Sequence, residues 1–198
     1  MSQFITNKMI ANGTIEESKT DIYKYGFEIL ISTTIYLLIF VVVSIVSNTA
    51  FTSLIFAIGF FIVRFTAGGY HADTYVKCHL LSMFNHVFFV VVLKVTPVAW
   101  RTAISIVGLV LSISFILILA PIDHPNKPFI KNERKRFRML SCIYCLVLMV
   151  ILIFAIILQS QTDVLYSFSV GTFCAAFALT SAKIQKNKRS KNNEENPL

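Results

Sequence analysis

Apolar and polar positions along the chain separate into long apolar runs and short polar joints. The runs cover Phe27 to Val46, Ala50 to Val63, Leu80 to Val95, Val98 to Ala120, Leu140 to Leu158 and Val164 to Ala182. Runs of this kind predict membrane-spanning helices, because about 20 apolar residues rising about 1.5 Å each cross the hydrocarbon core of a bilayer. The second and third runs are short by that measure and need their polar flanks to span; the third also carries Asn85, His86 and Lys94. The joint at Ser47 to Thr49 is tight, and Pro97 marks another turn. The predicted fold class is all-α, a polytopic membrane protein with about six transmembrane helices. Residues 1–26 mix Phe4, Ile5, Met9, Ile10, Ile15, Ile22 and Tyr23 with charged positions. That imperfect stripe predicts an N-terminal interfacial helical segment, broken near Asn12-Gly13. It contains no continuous apolar core of the signal-peptide type, so the first span is expected to direct insertion. The helical membrane domain then covers 27–182, including a polar stretch at 64–79 and a basic loop at 121–138. Residues 183–198 are expected to form a disordered basic tail.

Composition strengthens the membrane assignment: 56% of the 198 residues are hydrophobic and the mean hydropathy is +0.71. The net charge of +8 points to anionic lipid rather than nucleic acid because of where the charge sits. Lys127, Lys131, Arg134, Lys135, Arg136 and Arg138 cluster before the fifth run; Lys183, Lys186, Lys188, Arg189 and Lys191 follow the sixth. Basic clusters beside spans mark the cytoplasmic side. Two runs separate the clusters, which agrees with a common side. Counting back places 64–79 and both termini in the cytoplasm, with the protein in the cell membrane and little of it projecting outward. Lys94 and Arg101 stand at span ends, where snorkelling accounts for them.

The polar stretch reads RFTAGGYHADTYVKCH. Gly68 and Gly69 permit a sharp turn. His71 and Cys78 are the candidate reactive pair, since a thiol attacks as its thiolate and an imidazole can take its proton. On one continuous helix the two would stand roughly 10 Å apart along the axis. A break is therefore expected, with Asp73 as N-cap, a helix from Thr74, Cys78 just past the first turn and His71 folding back. Arg64, Lys77 and a helix N-terminus favour the thiolate, whereas burial in lipid would leave Cys78 an inert packing residue. His79 points about 100° away from Cys78 on such a helix and is the weaker base. His71, Cys78, His79 and His86 match no compact zinc spacing, so neither a metal nor another cofactor is expected. Cys142 and Cys145 form a CxxC inside an apolar run, which reads as packing. In APIDHPNKP, Asp123 could orient an imidazole and Lys127 could bind an acidic group, although ordinary turn chemistry also accounts for both.

The two segments RFTAGGYHADTYVKCH and APIDHPNKPF resemble the accessory gene regulator B family of membrane peptidases, with Arg64, Gly69, His71 and Cys78 in that family's spacing. The likeness extends over most of the chain. It implies a cysteine endopeptidase that processes the precursor of a quorum-sensing peptide. Cys78 would attack a peptide carbonyl and keep the acyl part as a thioester. His71 would move the proton, and a precursor cysteine or serine would then close a thiolactone or lactone. Arg64, Gly69, Asp123 and Lys127 would support the site or bind substrate. The precursor peptide and membrane lipid are the implied partners, with a homodimer as the implied assembly. Two other classes remain open to the sequence: a transporter using His86, Lys94 and Arg101 as intramembrane groups, and a non-catalytic scaffold that binds through its basic segments.

Overall fold

The computed structural model describes residues 2–13, 15–67, 75–122, 131–158 and 163–195. Their elements, in chain order, are α1 (Ser2–Ala11), a 3-10 turn at Glu17–Lys19, α2 (Thr20–Val46), α3 (Ala50–Ala67), α4 (Tyr75–Val95), α5 (Val98–Leu119), α6 (Lys131–Leu158) and α7 (Asp163–Glu195). The fold is all-α and multi-pass. Five segments are long and apolar enough to cross a membrane: Thr20–Val46, Ala50–Ala67, Val98–Leu119, Asn132–Ile157 and Asp163–Ile184. α4 adds the shorter apolar run His79–Val95. With its first turn included, α4 has 21 residues, or about 31 Å of helix.

Three element boundaries differ from the hydropathy reading, each for a local reason. α2 starts at Thr20, so residue 26 is not a structural break; Asp21 in the first turn suits the positive end of a helix dipole. α1 folds back along these turns, with Ser2 Oγ donating to Glu28 Oε1 at 3.2 Å and Thr6 buried. The basic run assigned to the loop 121–138 is helical from Lys131, because its prolines end at Pro128 and Glu, Arg and Lys are good helix formers. α7 likewise carries helical backbone to Glu195, through most of the tail expected to be disordered. Gln, Lys, Arg and Glu lose little rotamer freedom in a helix, and no proline intervenes before Pro197.

The Ser47–Thr49 joint closes as its residues dictate. Asn48 takes φ 54°, a left-handed position that Asn tolerates. The N–H groups of Ser47, Asn48 and Thr49 satisfy the carbonyls of Val43, Ile45 and Ser44 at 2.9–3.0 Å.

α7 forms the centre of the bundle: half of its spanning segment is buried, against 11% of that of α2. Its small residues permit this. Ser169, Gly171, Thr172, Ala175 and Ala176 are buried and let α3 and α5 approach closely. A Cβ on Gly171 would stand 2.2 Å from the Phe56 carbonyl oxygen, and one on Gly59 would stand 2.6 Å from that of Phe168. Ser169 Oγ donates to the Ser105 carbonyl at 2.8 Å, pinning α5 to the same helix. Phe56, Phe60 and Val63 of α3, Phe89 and Leu93 of α4, Leu109 and Ile116 of α5, and Tyr144 and Leu148 of α6 complete the core.

Gly171→Ala is expected to destabilise the protein by about 1–3 kcal/mol or more, as overpacking against a rigid backbone does. Gly26→Ala, where a Cβ meets nothing within 4 Å, should be neutral or slightly stabilising. Thermal unfolding of the two variants in detergent provides the comparison.

Candidate functional site

One end of the bundle holds the chain that flanks the sequence's candidate residues. The last turn of α3, the end of α5 and the beginning of α6 meet there. The Ile122 N–H donates to the Ala67 carbonyl at 3.2 Å. This bond joins the chain just before residues 68–74 to the chain just before residues 123–130. Ser141 Oγ lies 3.0 Å from the Thr66 carbonyl and 2.9 Å from that of Phe137, sharing its proton between them. The Arg138 guanidinium donates to the Ala120 carbonyl, placing a cation against the negative end of α5. Arg138 thus has a structural partner that its place in a basic run did not announce.

Of the sequence-derived site residues, Gly69, His71, Asp123 and Lys127 lie outside the described residues. Cys78 has its backbone in the first turn of α4. That helix is described from Tyr75 onward, and both the expected start at Thr74 and the expected cap at Asp73 fall outside the described residues. Arg64 occupies the last turn of α3, with its guanidinium 5.8 Å from the Phe60 ring centroid. It also acts on His79 as a neighbouring positive charge. His79 stacks on Tyr36 of α2, centroids 5.3 Å apart and planes 21° apart. Its Nε2 is buried and has no hydrogen-bond partner among the described residues. Tyr36 gave no sequence signal, because it lies in an otherwise apolar run far from the polar stretch.

A second polar cluster lies within the bundle. His86 Nε2 sits 3.0 Å from Ser53 Oγ and 3.3 Å from Ser44 Oγ, and Ser53 Oγ sits 3.2 Å from Thr49 Oγ1. Phe40 covers the imidazole, ring centroids 4.1 Å apart. Each polar group therefore finds a partner within protein, as hydrocarbon surroundings require. This cluster joins α2, α3 and α4, and it gives His86 a structural task. Arg101 also differs from its expected snorkelling role. It pairs with Asp163, donates to the carbonyls of Leu93 and Thr96 at 2.8 and 3.2 Å, and lies 5.7 Å from the Tyr166 ring centroid. Together with the 2.9 Å contact between Thr96 Oγ1 and the Tyr166 hydroxyl, it latches α4, α5 and α7 at the end opposite Cys78. Cys145 is buried in the core, in keeping with packing for that part of the CxxC.

Fold and site together define a multi-pass helical membrane protein in which the approaches to two polar stretches are tied at one end. The sequence profile of the family described as accessory gene regulator B (AgrB) matches residues 2–179, and the chain belongs to that family. It is similar to putative AgrB-like protein 2 of Clostridium perfringens (strain 13 / Type A), 29% identical over 144 residues covering 70% of this chain and 67% of the relative. A putative AgrB-like protein from Clostridium perfringens strain SM101 is 28% identical over the same coverage. No solved structure matches the chain. Family membership places the protein in the quorum-sensing processing of accessory gene regulator systems.

His86→Leu is expected to lower thermal stability by about 1–3 kcal/mol, the usual cost of orphaning buried polar partners. His86→Gln, which keeps a polar group there, should retain most of that stability and full precursor processing. A transport role for the imidazole would instead make the Gln variant inactive at normal stability.

Proposed function

We propose that the protein is a membrane-embedded cysteine endopeptidase that cleaves the C-terminal segment from a quorum-sensing precursor peptide. His71 takes the proton of the Cys78 thiol, and the thiolate adds to the scissile carbonyl. As the C–N bond breaks, the imidazolium returns the proton to the leaving amine. The acyl part stays on Cys78 as a thioester. A cysteine or serine of the precursor then attacks this carbonyl, closing a thiolactone or lactone and releasing the Cys78 thiol. Exchange of one thioester for another is nearly balanced in free energy, unlike hydrolysis, so water has to be kept from the acyl-enzyme.

The observation that carries this reading is the place of Cys78 in the first turn of α4, where the unsatisfied N–H groups of a helix start favour a thiolate. The 3.2 Å Ile122–Ala67 bond supports it. Asp123 directly follows Ile122, and His71 is four residues from both Ala67 and Tyr75. In this mechanism Gly69 supplies the turn that returns His71 toward Cys78, and Asp123 orients the imidazole. Arg64 supports the thiolate, and Lys127 binds an acidic group of the precursor. The site faces the cytoplasm, with Arg134, Lys135 and Arg136 on the same side. All three are exposed on the first turns of α6 and are placed to attract an acidic precursor tail. The protein works in the cell membrane, with the precursor and lipid as partners and a homodimer as its assembly.

Co-expression with a candidate precursor, sought first among small open reading frames beside the gene, followed by mass spectrometry, provides the test. Wild type should release the C-terminal segment and carry precursor mass on Cys78 as a thiol-sensitive adduct. Cys78→Ser should form no thioester, and His71→Ala should slow cleavage by about 10²–10⁴-fold, the usual contribution of a positioned base. Unchanged cleavage without Cys78 would remove it as the nucleophile.

Charge reversal at Arg134, Lys135 and Arg136 should weaken precursor binding more in low salt than in high salt, as screening of exposed charges requires. Equilibrium binding at two ionic strengths reads this directly.

A further inference from the structure

An open groove of about 860 Å³ runs between α4 and α7, within the size range of ligand sites. Leu80, Leu81, Phe84 and Phe88 form one wall; Phe173 and Phe177 form part of the other. Phe84 and Phe177 are 67% and 54% exposed, so the groove opens sideways from the bundle toward lipid. Its near end adjoins the first turn of α4: Leu80 and Leu81 follow Cys78 by two and three residues. α4 and α7 are antiparallel, as the Thr96–Tyr166 contact at their other ends shows, so Ser181 on α7 lies toward the Cys78 end.

We infer that this groove binds the apolar residues immediately preceding the scissile bond of the precursor, the part that remains attached to Cys78. The inference rests on the proposed endopeptidase reading and adds to it the substrate's chemical class. Cys78 precedes Leu80 and Leu81 on the same helix, so an acyl chain carried by it starts within a turn of the groove's near end. Leu80 to Phe88 covers about 12 Å of helix axis, the length of three or four residues of extended chain. The lining also contains two polar groups that an alkyl chain would leave unmet. Asn85 donates to the Leu81 carbonyl at 2.8 Å, but its Oδ1 has no partner among the described residues. Ser181, unlike Ser105, Ser112 and Ser167, makes no bond back to a helix carbonyl in the described structure. A lipid tail has no hydrogen bond to give either group, whereas a peptide supplies N–H and C=O at every residue and needs partners for them in an apolar setting. The occupant is thus a short peptide tract with bulky apolar side chains, entering from the side of the bundle.

The test uses the full-length protein in detergent and three thiol-directed probes: a tetrapeptide chloromethyl ketone with four apolar residues, one with four small polar residues, and iodoacetamide. In each case the Cys78 sulfur forms a thioether as the halide leaves, chloride from the two ketones and iodide from iodoacetamide, and mass spectrometry of the Cys78 peptide gives the rate. The apolar ketone should label Cys78 at least about tenfold faster than the polar one, the discrimination a hydrophobic pocket supplies. Ala178→Trp, which fills the groove, and Phe177→Ala, which removes one wall, should each erase most of that preference. Their iodoacetamide rates and melting temperatures should stay near wild type. If the polar ketone reacts as fast in wild type, or the preference survives in both variants, the groove is not the peptide site, and a lipid-filled groove accounts for it. Such results would leave the reactivity of Cys78 intact. A Cys78 inert to all three probes would instead overturn the endopeptidase reading and this inference with it.

Discussion

The close approach of α7 to α3 is the constraint from which the rest of the bundle follows. Hydrocarbon offers no hydrophobic force to drive two apolar helices together, so association depends on contact at short range and on matched polar groups. Gly59 and Gly171 supply the first by leaving no Cβ where backbone carbonyls pass. Ser169 supplies the second by bonding to Ser105 on α5. With α3 and α5 both held against α7, their C-terminal ends arrive side by side, and the Ile122–Ala67 bond can form. The bond between the approaches to the two polar stretches is therefore a consequence of small residues in the centre of the membrane domain. The latch of Arg101, Asp163, Thr96 and Tyr166 fixes the other end.

α4 is held differently, and this bears on its task. Its contacts with α2 and α3 pass through the His86 cluster and the stacking of His79 on Tyr36. Toward α7 it leaves the groove unfilled. The helix that carries Cys78 thus has one anchored side and one open side. The endopeptidase proposed above requires such an arrangement, a nucleophile on an anchored helix with lateral access beside it.

Much of this was legible in the sequence, and what was not has a common cause. The apolar runs gave the spans, because hydrocarbon thickness sets their length. Asn48 gave a turn, because few residues accept a left-handed backbone. The spacing of Arg64, Gly69, His71 and Cys78 gave the family, whose membership the profile match establishes. Asp163 and Arg101 did not announce each other, being 62 residues apart, nor did Ser141 and Thr66 across 75. Hydropathy is a property of one position at a time and contains no pairing information. It likewise misplaced the beginning of α6, because the charged residues from Lys131 onward look like a loop to a hydropathy scale yet are good helix formers. The small residues of α7 were visible in the sequence, but not the helices they face, which are α3 and α5 of the same chain.

The sealing of the helix ends connects the fold to the proposed chemistry. The last carbonyls of any helix lack intrahelical partners and ordinarily draw water. At the Cys78 end they are met by protein donors. Thr66 accepts from the Ser141 hydroxyl, Ala67 from the Ile122 N–H and Ala120 from the Arg138 guanidinium. Three carbonyls at this end of the bundle are thereby given protein partners in place of water. An acyl-enzyme destined for ring closure competes with hydrolysis at every moment of its life, and water near its carbonyl decides the outcome. The same bonds that tie the approaches to the two polar stretches also take up carbonyls that would otherwise draw water. Under the proposed mechanism, the bonds that assemble this end of the bundle also protect the thioester.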